Sequence, residues 1–385
     1  MNEMENIYMN YQETAIQETS FGETAENTAF KETFIDENLN NHAAENSPEY
    51  LKVSLAAAMT LGMVPGLFHR NACLHCVNVL LTYDDGCRAN CAYCGLQKSR
   101  EGNYSDKSFI RVDWPAFKTK DIIKRTLDKK DVIHRICISM ITHEKAKEDT
   151  FAILRNFSKN LHCPTSILLT PTVLKHSDID KFKEYGADMV TVALDCATPE
   201  LFDEYRGTGV KGPHKWDKYN DTLDYSVSVF GKNKVGCHLV VGLGETEKEM
   251  IFRIQNIRNK GARSHLFSFY QEKGSKLDAH PQCPAGQFRR VQVARHIIDY
   301  DMGHAEDMEF DNSGKVIDFG IPFKNVAEIV ETGTAFRTTG CPGKSEISAC
   351  NRPFGDSSPR NIRSFPFELN ASDIARVRKE LLEYE

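Results

Sequence analysis

Short apolar runs alternate along most of the chain with longer segments in which apolar residues recur at helical spacing. Six of the runs predict buried strands, and six of the longer segments predict helices. The strands are residues 77–81, 132–140, 166–170, 189–194, 235–242 and 264–269; the helices are residues 114–127, 146–160, 177–185, 216–230, 245–259 and 287–300. Such alternation indicates parallel βαβ units. Because six strands are too few for a closed eight-stranded barrel, the predicted fold is α/β, an open (β/α)6 partial TIM barrel.

The segments on either side of this barrel domain, residues 77–300, have a different pattern. Residues 49–76 predict an N-terminal extension with a helix over residues 49–63. Residues 301–385 predict a C-terminal extension with a hairpin within residues 303–318 that turns at residues 312–314. A loop over residues 338–355 and a closing helix over residues 373–384 complete this extension.

Residues 1–48 have little regular apolar spacing and carry ten acidic side chains against one basic side chain, Lys31. Low hydrophobicity combined with a net negative charge favours a disordered acidic tail. Two roles are open for the tail. It is either idle, or it is an arm that docks on a partner through isolated apolar residues such as Phe21, Phe30 and Phe34.

Charge and composition narrow the class of protein. The 385 residues carry a formal net charge of −6, and the chain beyond the tail is mildly positive, so the charge does not indicate a nucleic-acid partner. No apolar run approaches the ~18 residues of a membrane span, and the chain does not start like an export signal. We therefore expect a cytoplasmic protein. There, twelve cysteines indicate metal binding or catalysis rather than disulfides.

Three cysteines follow the first predicted strand at the spacing C-x3-C-x2-C: Cys87, Cys91 and Cys94. Thiolates this close in sequence can bind three irons of one [4Fe–4S] cube and leave the fourth iron open for a small molecule. A zinc knuckle is the alternative, although zinc usually takes paired C-x2-C units. With Tyr93 before Cys94 and Gly95 after it, the motif resembles the radical S-adenosylmethionine (SAM) superfamily. The resemblance implies biotin-synthase-like chemistry, in which SAM is cleaved to a 5′-deoxyadenosyl radical.

The same resemblance implies SAM-binding residues at several strand ends. Asp195, after the fourth predicted strand, would contact the ribose, and Arg206 would pair with the SAM carboxylate. The alternatives are that Asp195 caps the next helix and that Arg206 is a surface residue. The other candidates are Tyr93 beside the cysteines, Ser139 and Thr142 after the second strand, and Gly242, Gly244 and Glu245 after the fifth.

Four further cysteines come in two pairs, Cys73 with Cys76 before the barrel and Cys341 with Cys350 after it. A partial barrel brings its leading and trailing segments to the same side, so the pairs can jointly supply four thiolates to an auxiliary [4Fe–4S] cluster. A zinc site and unrelated buried thiols are the alternatives. Cys283 lies in a turn and fits either group. Four cysteines that adjoin predicted strands are expected to be small core residues: Cys137, Cys163, Cys196 and Cys237.

Several segments between residues 48 and 366 resemble the second subunit of the two-component lipoyl synthase family. They include CVNVLLTYDDGCRANCAYCGL, HLVVGLGETEKEM, LFSFYQEKGS and GCPG…CNRPF. The resemblance implies a sulfurtransferase that inserts sulfur into an unactivated C–H of an octanoyl chain on a carrier-protein lysine, with the auxiliary cluster as sulfur donor. The implied partners are a second radical SAM subunit, the octanoylated carrier protein and an electron donor such as ferredoxin or flavodoxin.

Two other interpretations of these motifs are open. One is a different biotin-synthase-like reaction, such as biotin-type sulfur insertion or cofactor maturation, which needs no carrier protein. The other is a cluster-bearing partner without turnover. Cleavage of SAM separates the last from the enzymes, and dependence on an octanoyl-lysine substrate separates lipoyl formation from other radical SAM reactions.

Overall fold

An eight-stranded sheet organises the computed structural model, which describes residues 45–345 and 348–384. The strands lie in the order β3-β1-β2-β4-β5-β6-β7-β8, and β2 and β4 to β8 pair in parallel. Their bounds are β1 (Tyr50–Val53), β2 (Cys76–Leu80), β3 (Ala116–Lys118), β4 (Arg135–Ser139), β5 (Thr165–Leu169), β6 (Met189–Asp195), β7 (Val235–Val241) and β8 (Arg263–Ser268). The prediction of an open α/β sheet with six parallel strands is confirmed.

Helices connect the parallel strands and continue after the sheet. They are α1 (Leu55–Thr60), α2 (Thr119–Asp128), α3 (Ala146–Asn160), α4 (His176–Glu184), α5 (Pro199–Arg206), α6 (Trp216–Phe230), α7 (Glu247–Asn259), α8 (Ala285–Asp299), α9 (Phe323–Thr332) and α10 (Ala371–Leu381). The helices predicted over residues 146–160 and 216–230 match α3 and α6 at both ends. The pattern did not predict α9.

Two predicted helices begin as strands. Within residues 49–63, the chain forms β1 before α1, and within residues 114–127 it forms β3 before α2. β1 pairs antiparallel with both β2 and β3, so the sheet has two strands beyond the parallel six. The apolar spacing of residues 51, 55 and 59 suits a helix, but burial of Leu51 and Val53 on the sheet decides the conformation. Ser54 then starts α1, because its side chain accepts from the N–H of Ala57.

Alternation along the parallel strands separates a helix-facing side from an inner side. On β4, Ile136 and Ile138 are fully buried in the core, whereas Cys137 and Ser139 line a cavity on the inner side. The same division recurs on β6 and β7. Small and polar residues therefore collect on the inner side of the sheet.

The C-terminal extension packs on the barrel through one buried ion pair and through bonds to its backbone. Arg289 on α8 pairs with Glu380 on α10 at 2.7 Å. Arg290, which pairs with Glu247 on α7 at 2.6 Å, also donates to the carbonyl oxygen of Leu381, at the end of α10, at 3.0 Å. The predicted hairpin is present as β9 (Glu309–Phe310) and β10 (Val316–Asp318), which pair antiparallel. These contacts bring the last helix and the hairpin against the helices that follow β7 and β8.

The predicted acidic tail falls almost entirely on residues 1–44, which lie outside the described residues, so its disorder and its docking role stay predictions. In the described part of the chain, every helix is too short or too polar to cross a membrane.

Candidate functional site

A cavity of about 240 Å³ lies on the inner side of the sheet. Cys94 and Asp195 line it near the carboxyl ends of the strands, and Cys137, Cys341 and Cys350 line the same cavity. The wall thus contains cysteines from both sets that the sequence singles out. The two sets share one space in which a substrate could meet both.

The loop that carries the first cysteine set is anchored to neighbouring strand ends. The N–H of Arg88 donates to the carbonyl oxygen of Thr142, after β4, at 2.7 Å. The N–H of Ala92 donates to the carbonyl oxygen of Tyr205, on α5, at 2.8 Å. A third bond joins the loop to the segment after β8, where the N–H of Leu277 donates to the carbonyl oxygen of Ala92 at 3.0 Å. The loop is held at the carboxyl ends of the parallel strands.

The thiols of Cys87, Cys91 and Cys94 are close enough to influence one another electrostatically. Burial raises the pKa of all three thiols, and at Cys94 the other two cysteines raise it further. At Cys91, the contacting Arg206 guanidinium opposes the shift. Three partly or fully buried thiolates need positive charge beside them, and the irons of a cluster would supply it. The set therefore fits a [4Fe–4S] cluster.

Single-ion sites give a different result. Over residues 45–345 and 348–384, no group of three or more His, Cys, Asp or Glu side chains is arranged to hold one metal ion. A structural zinc ion needs four ligands around one centre. The thiolates of a cube each bind a different iron, so they do not share a centre.

Asp195, the candidate ribose contact, lies at the end of β6 in the left-handed backbone region, with φ 65°. Its carboxylate accepts from the Tyr93 hydroxyl at 2.6 Å and pairs with Arg206 at 3.2 Å. Asp195 does not cap α5, because Thr198 is the N-cap and accepts from the N–H of Leu201. The carboxylate is held in the cavity wall beside the first cysteine set.

Arg206 is almost fully buried, so the alternative of a surface arginine is wrong. Its guanidinium donates to the carbonyl oxygens of Ala193 and Leu194 and to the Tyr219 hydroxyl. Among the described residues that line the cavity, Arg206 is not included. Arg206 thus lies behind the residues of the cavity wall, where its guanidinium contacts both Asp195 and Cys91.

The remaining candidates divide by position. Ser139 and Tyr93 line the cavity. Thr142 lies outside that lining, and its hydroxyl is 3.1 Å from that of Thr170. Glu245 bends back and accepts from the N–H groups of Gly242, at 2.7 Å, and Leu243, at 3.0 Å.

The turn after β7 is tightly packed on its other side. A Cβ atom on Gly242 would lie 2.5 Å from the Cβ of Cys283, so this position requires glycine. Gly244 has a φ of +119°, which also favours glycine. Burial raises the pKa of Glu245 to about 7. Gly242, Gly244 and Glu245 shape the turn but are not part of the described cavity wall.

The second cysteine set differs from the predicted one in one member. The structure groups Cys76, Cys137, Cys341 and Cys350. The Asn78 amide donates to the sulfur atoms of both Cys76 and Cys350, each at 3.5 Å. The thiols of Cys137 and Cys76 also donate to Cys350. These four thiols come from β2, from β4 and from the loop after α9.

Within this set, hydrogen bonding lowers the pKa of one thiol, whereas burial raises the pKa of others. Donation from Cys137, Cys76 and Asn78 lowers the pKa of the Cys350 thiol well below its usual range. Burial raises the pKa of Cys76 well above that range and the pKa of Cys341 to about 11. One thiolate is therefore stabilised while its neighbours stay protonated. Four iron-bound thiolates would remove the mismatch, so these residues also fit a cluster.

Cys341 and Cys350 meet although eight residues separate them. The N–H of Cys350 donates to the carbonyl oxygen of Cys341 at 3.1 Å, and Pro342 forms an antiparallel bridge with Ser348. Gly340 permits this closure, since a Cβ atom there would lie 2.2 Å from the carbonyl oxygen of Cys350. The residues at the two ends of this loop therefore pair with each other.

Cys73 and Cys137 both lie elsewhere than predicted. Cys73 is exposed, whereas Cys137 lines the cavity instead of packing between the sheet and the helices. Cys196 and Cys237 are buried in the core, as predicted. Parallel pairing could have revealed the place of Cys137, because Cys137 is in register with Asn78. Asn78 is two residues after Cys76 and therefore shares its face of β2.

Several polar residues in the cavity wall were not predicted, among them Glu272, His238 and His265. Glu272, after β8, accepts from the Ser108 hydroxyl at 2.5 Å and from the N–H of Arg111 at 2.6 Å. His238 on β7 and His265 on β8 also line the cavity. Burial lowers the pKa of His238 to about 4 and that of His265 to about 3, so both rings are neutral at pH 7. Both histidines follow an even spacing with other inner residues of their strands, which is the only sequence signal they carry.

The fold and the site define an α/β barrel-type protein with a cysteine loop at the strand ends. Residues 82–254 match the family model of the Radical SAM superfamily. The cofactors of that superfamily are a [4Fe–4S] cluster and SAM. A search of curated protein sequences finds no significant match.

Solved structures of radical SAM enzymes are similar to this chain at low sequence identity. Methylornithine synthase (PylB) shares 13% identity over 63% of this chain and 66% of its own, with a TM-score of 0.45. HydG, a maturase of the [FeFe]-hydrogenase, shares 12% identity over 63% of this chain and 53% of its own, with a TM-score of 0.46. Streptococcus suis SuiB bound to S-adenosylmethionine shares 17% over 60% and 48%, with a TM-score of 0.43. The alignments span less than two thirds of each of these proteins.

Proposed function

We propose that the chain is a sulfurtransferase that inserts sulfur into an unactivated C–H of an octanoyl chain on a carrier protein, as in lipoyl formation. The observation that carries the proposal is the shared cavity, which is lined by Cys94 from one set and by Cys137, Cys341 and Cys350 from the other. A site for radical formation and a source of sulfur would then face the same substrate. Enzymes of this class need both.

The cavity wall between the two cysteine sets suits an aliphatic chain. Leu168 on β5, Val240 on β7 and Phe267 on β8 contribute apolar side chains, and Phe109 and Trp114 add aromatic ones. Apolar surface gains from burying methylene groups, at about 0.8 kcal/mol for each. A saturated acyl chain therefore has a matching surface along its length.

In this proposal Cys87, Cys91 and Cys94 hold the first cluster. Cys76, Cys137, Cys341 and Cys350 hold the second one, in which Cys137 replaces the predicted Cys73. When bound, the first cluster would pass an external electron to SAM and so supply the radical that takes a hydrogen atom, and the second cluster would supply sulfide and accept one electron.

The protein's own residues bind, orient and shield. Asp195, held by Tyr93 and Arg206, would accept from ribose hydroxyls, and Ser139 also lines the cavity. The apolar wall fixes the position of the target carbon and excludes water that would quench a radical. No side chain has to transfer a proton in this scheme.

The proposed partners follow from the chemistry. Each turnover needs an electron, which ferredoxin or flavodoxin would deliver, and the substrate arrives on an octanoylated carrier protein. A second radical SAM subunit would form the other carbon–sulfur bond. We place the protein in the cytoplasm, where thiols stay reduced and available to iron.

The test is an iron count. A variant with Cys87→Ala, Cys91→Ala and Cys94→Ala is reconstituted anaerobically with iron and sulfide. We expect about four irons to remain per chain, because the second set binds a separate cube. Adding Cys137→Ala, Cys341→Ala and Cys350→Ala should remove them. If the first variant already lacks iron, the proposed sulfur source does not exist.

Activity separates this proposal from the alternatives. The unmodified chain is supplied with SAM, a reductant, the partner subunit and the octanoylated carrier protein. Release of 5′-deoxyadenosine that rises with octanoylated carrier supports the enzyme and its substrate class. If the release of 5′-deoxyadenosine does not depend on the carrier protein, the chain catalyses another radical SAM reaction. If no 5′-deoxyadenosine is released, the chain is a partner without turnover.

A further inference from the structure

His265 is a buried imidazole whose ring nitrogens have no hydrogen-bond partner. It lies on β8 with an exposure of 5%, and both Nδ1 and Nε2 are buried and unpaired in the described structure. A buried polar group without a partner destabilises the folded state, because it loses its hydrogen bonds to water and gains none in return. Two such atoms on one ring, in a cavity wall, therefore point to a bound group that would pair with them.

The neighbours of the imidazole ring show what kind of group could lie beside it. A Cβ atom on Gly236 would lie 2.5 Å from Nε2 of His265 and 2.7 Å from Oγ1 of Thr191. The imidazole thus occupies the space that glycine leaves open, beside Thr191. The Thr191 hydroxyl is 3.7 Å from the sulfur of Cys341. Through Thr191, His265 is next to the second cysteine set.

Two further contacts place the ring at this set. The N–H of Leu266, the next residue on β8, donates to the Thr339 hydroxyl at 3.0 Å and so fixes the strand to the segment that carries Cys341. His238 is in register with His265 on the adjacent strand, with ring centroids 5.9 Å apart. Both rings lie within electrostatic range of Cys350.

We propose that His265 is a positioning residue of the second cluster, to which its imidazole N–H donates a hydrogen bond at a cluster sulfur. This inference rests on the proposed function, because it requires the second cluster. Four thiols are already present as ligands, so the ring is not needed to bind iron. Hydrogen bonds to the sulfurs are among the factors that set the reduction potential of a cluster. The bond would favour the reduced state, which forms when a substrate carbon takes a sulfide.

The test uses the variant that lacks Cys87, Cys91 and Cys94, so that only the second cluster contributes. Into it are introduced His265→Phe, which removes the donor, and His265→Gln, which retains an N–H. We expect the reduction potential to fall in the phenylalanine variant and to recover in part with glutamine. His296→Phe, on α8 and away from the cavity, is the matched control and should leave the potential unchanged.

A second measurement leaves His265 unchanged, so it does not require a His265 variant to fold. With 15N only in histidine, pulsed EPR of the reduced cluster in the parent variant should show a 15N coupling. Retained iron with no such coupling, or an unchanged potential in His265→Phe, overturns the hydrogen bond alone. Loss of all iron from the parent variant overturns the second cluster and this inference together.

Discussion

Asp195 shows how a single carboxylate is prepared for a ligand. Its backbone has a φ of 65°, a conformation that only a few non-glycine residues adopt. Tyr93 and Arg206 hold the carboxylate from two sides, and Arg206 also contacts Cys91. One arginine therefore links the candidate ribose contact to a candidate iron ligand. This coupling makes Asp195 the most informative single residue for SAM binding.

We expect Asp195→Asn to weaken SAM binding by roughly 10- to 100-fold, since a hydrogen bond to a charged group contributes about 1.5–3 kcal/mol. Equilibrium binding of SAM to the reconstituted chain measures the effect. Asp217→Asn, an exposed acid in the first turn of α6, is the control and should bind SAM normally. Unchanged affinity in Asp195→Asn would remove Asp195 from the SAM site.

At the scale of elements, strand β4 determines the second cysteine set. It carries Cys137 into the cavity, two residues before Ser139, and its neighbour β2 contributes Cys76, which lies two residues before Asn78, the partner of Cys137 in the register. Cys73 precedes β2 and is exposed. The membership of the set therefore follows from strand pairing and not from the C-x2-C spacing.

In the variant that lacks the first three cysteines, Cys137→Ala should lower the iron that remains after reconstitution, because one of four ligands is lost. Cys73→Ala in the same background should leave the iron content unchanged. Iron and sulfide analysis, with the cluster's absorption spectrum, reports both. If Cys73→Ala lowers the iron content and Cys137→Ala does not, then Cys73 is the ligand, as the sequence spacing predicted.

Local sequence patterns predicted most helices and strands. They failed where the pairing of distant strands determines the conformation or the position of a residue. The six parallel strands follow from apolar runs, and the triad follows from its spacing. β1 was predicted as a helix, because no local signal shows that Leu51 and Val53 pair with other strands. Cys137 and His265 were missed for the same reason: each lines the cavity on the inner side of the sheet, and a single sequence does not show which inner residues meet.

On the scale of the whole molecule, the C-terminal extension completes the site. Its loop brings Cys341 and Cys350 to the inner side of the sheet, and the N–H of Cys350 closes it onto Cys341. Arg135 on β4 donates to the carbonyl oxygen of Pro342 and pairs with Asp188 at 2.7 Å, which fixes this loop to the sheet. Barrel and extension therefore form one cavity with two cysteine sets.

The most direct test of the account is to follow the sulfur. The chain is reconstituted with 34S-labelled sulfide and given SAM, reductant, the partner subunit and octanoylated carrier protein, and the carrier peptide is analysed by mass spectrometry. The account predicts 34S on the octanoyl chain, with label lost when Cys137, Cys341 and Cys350 are changed to Ala. Formation of 5′-deoxyadenosine with no 34S in the acyl chain would contradict sulfur insertion.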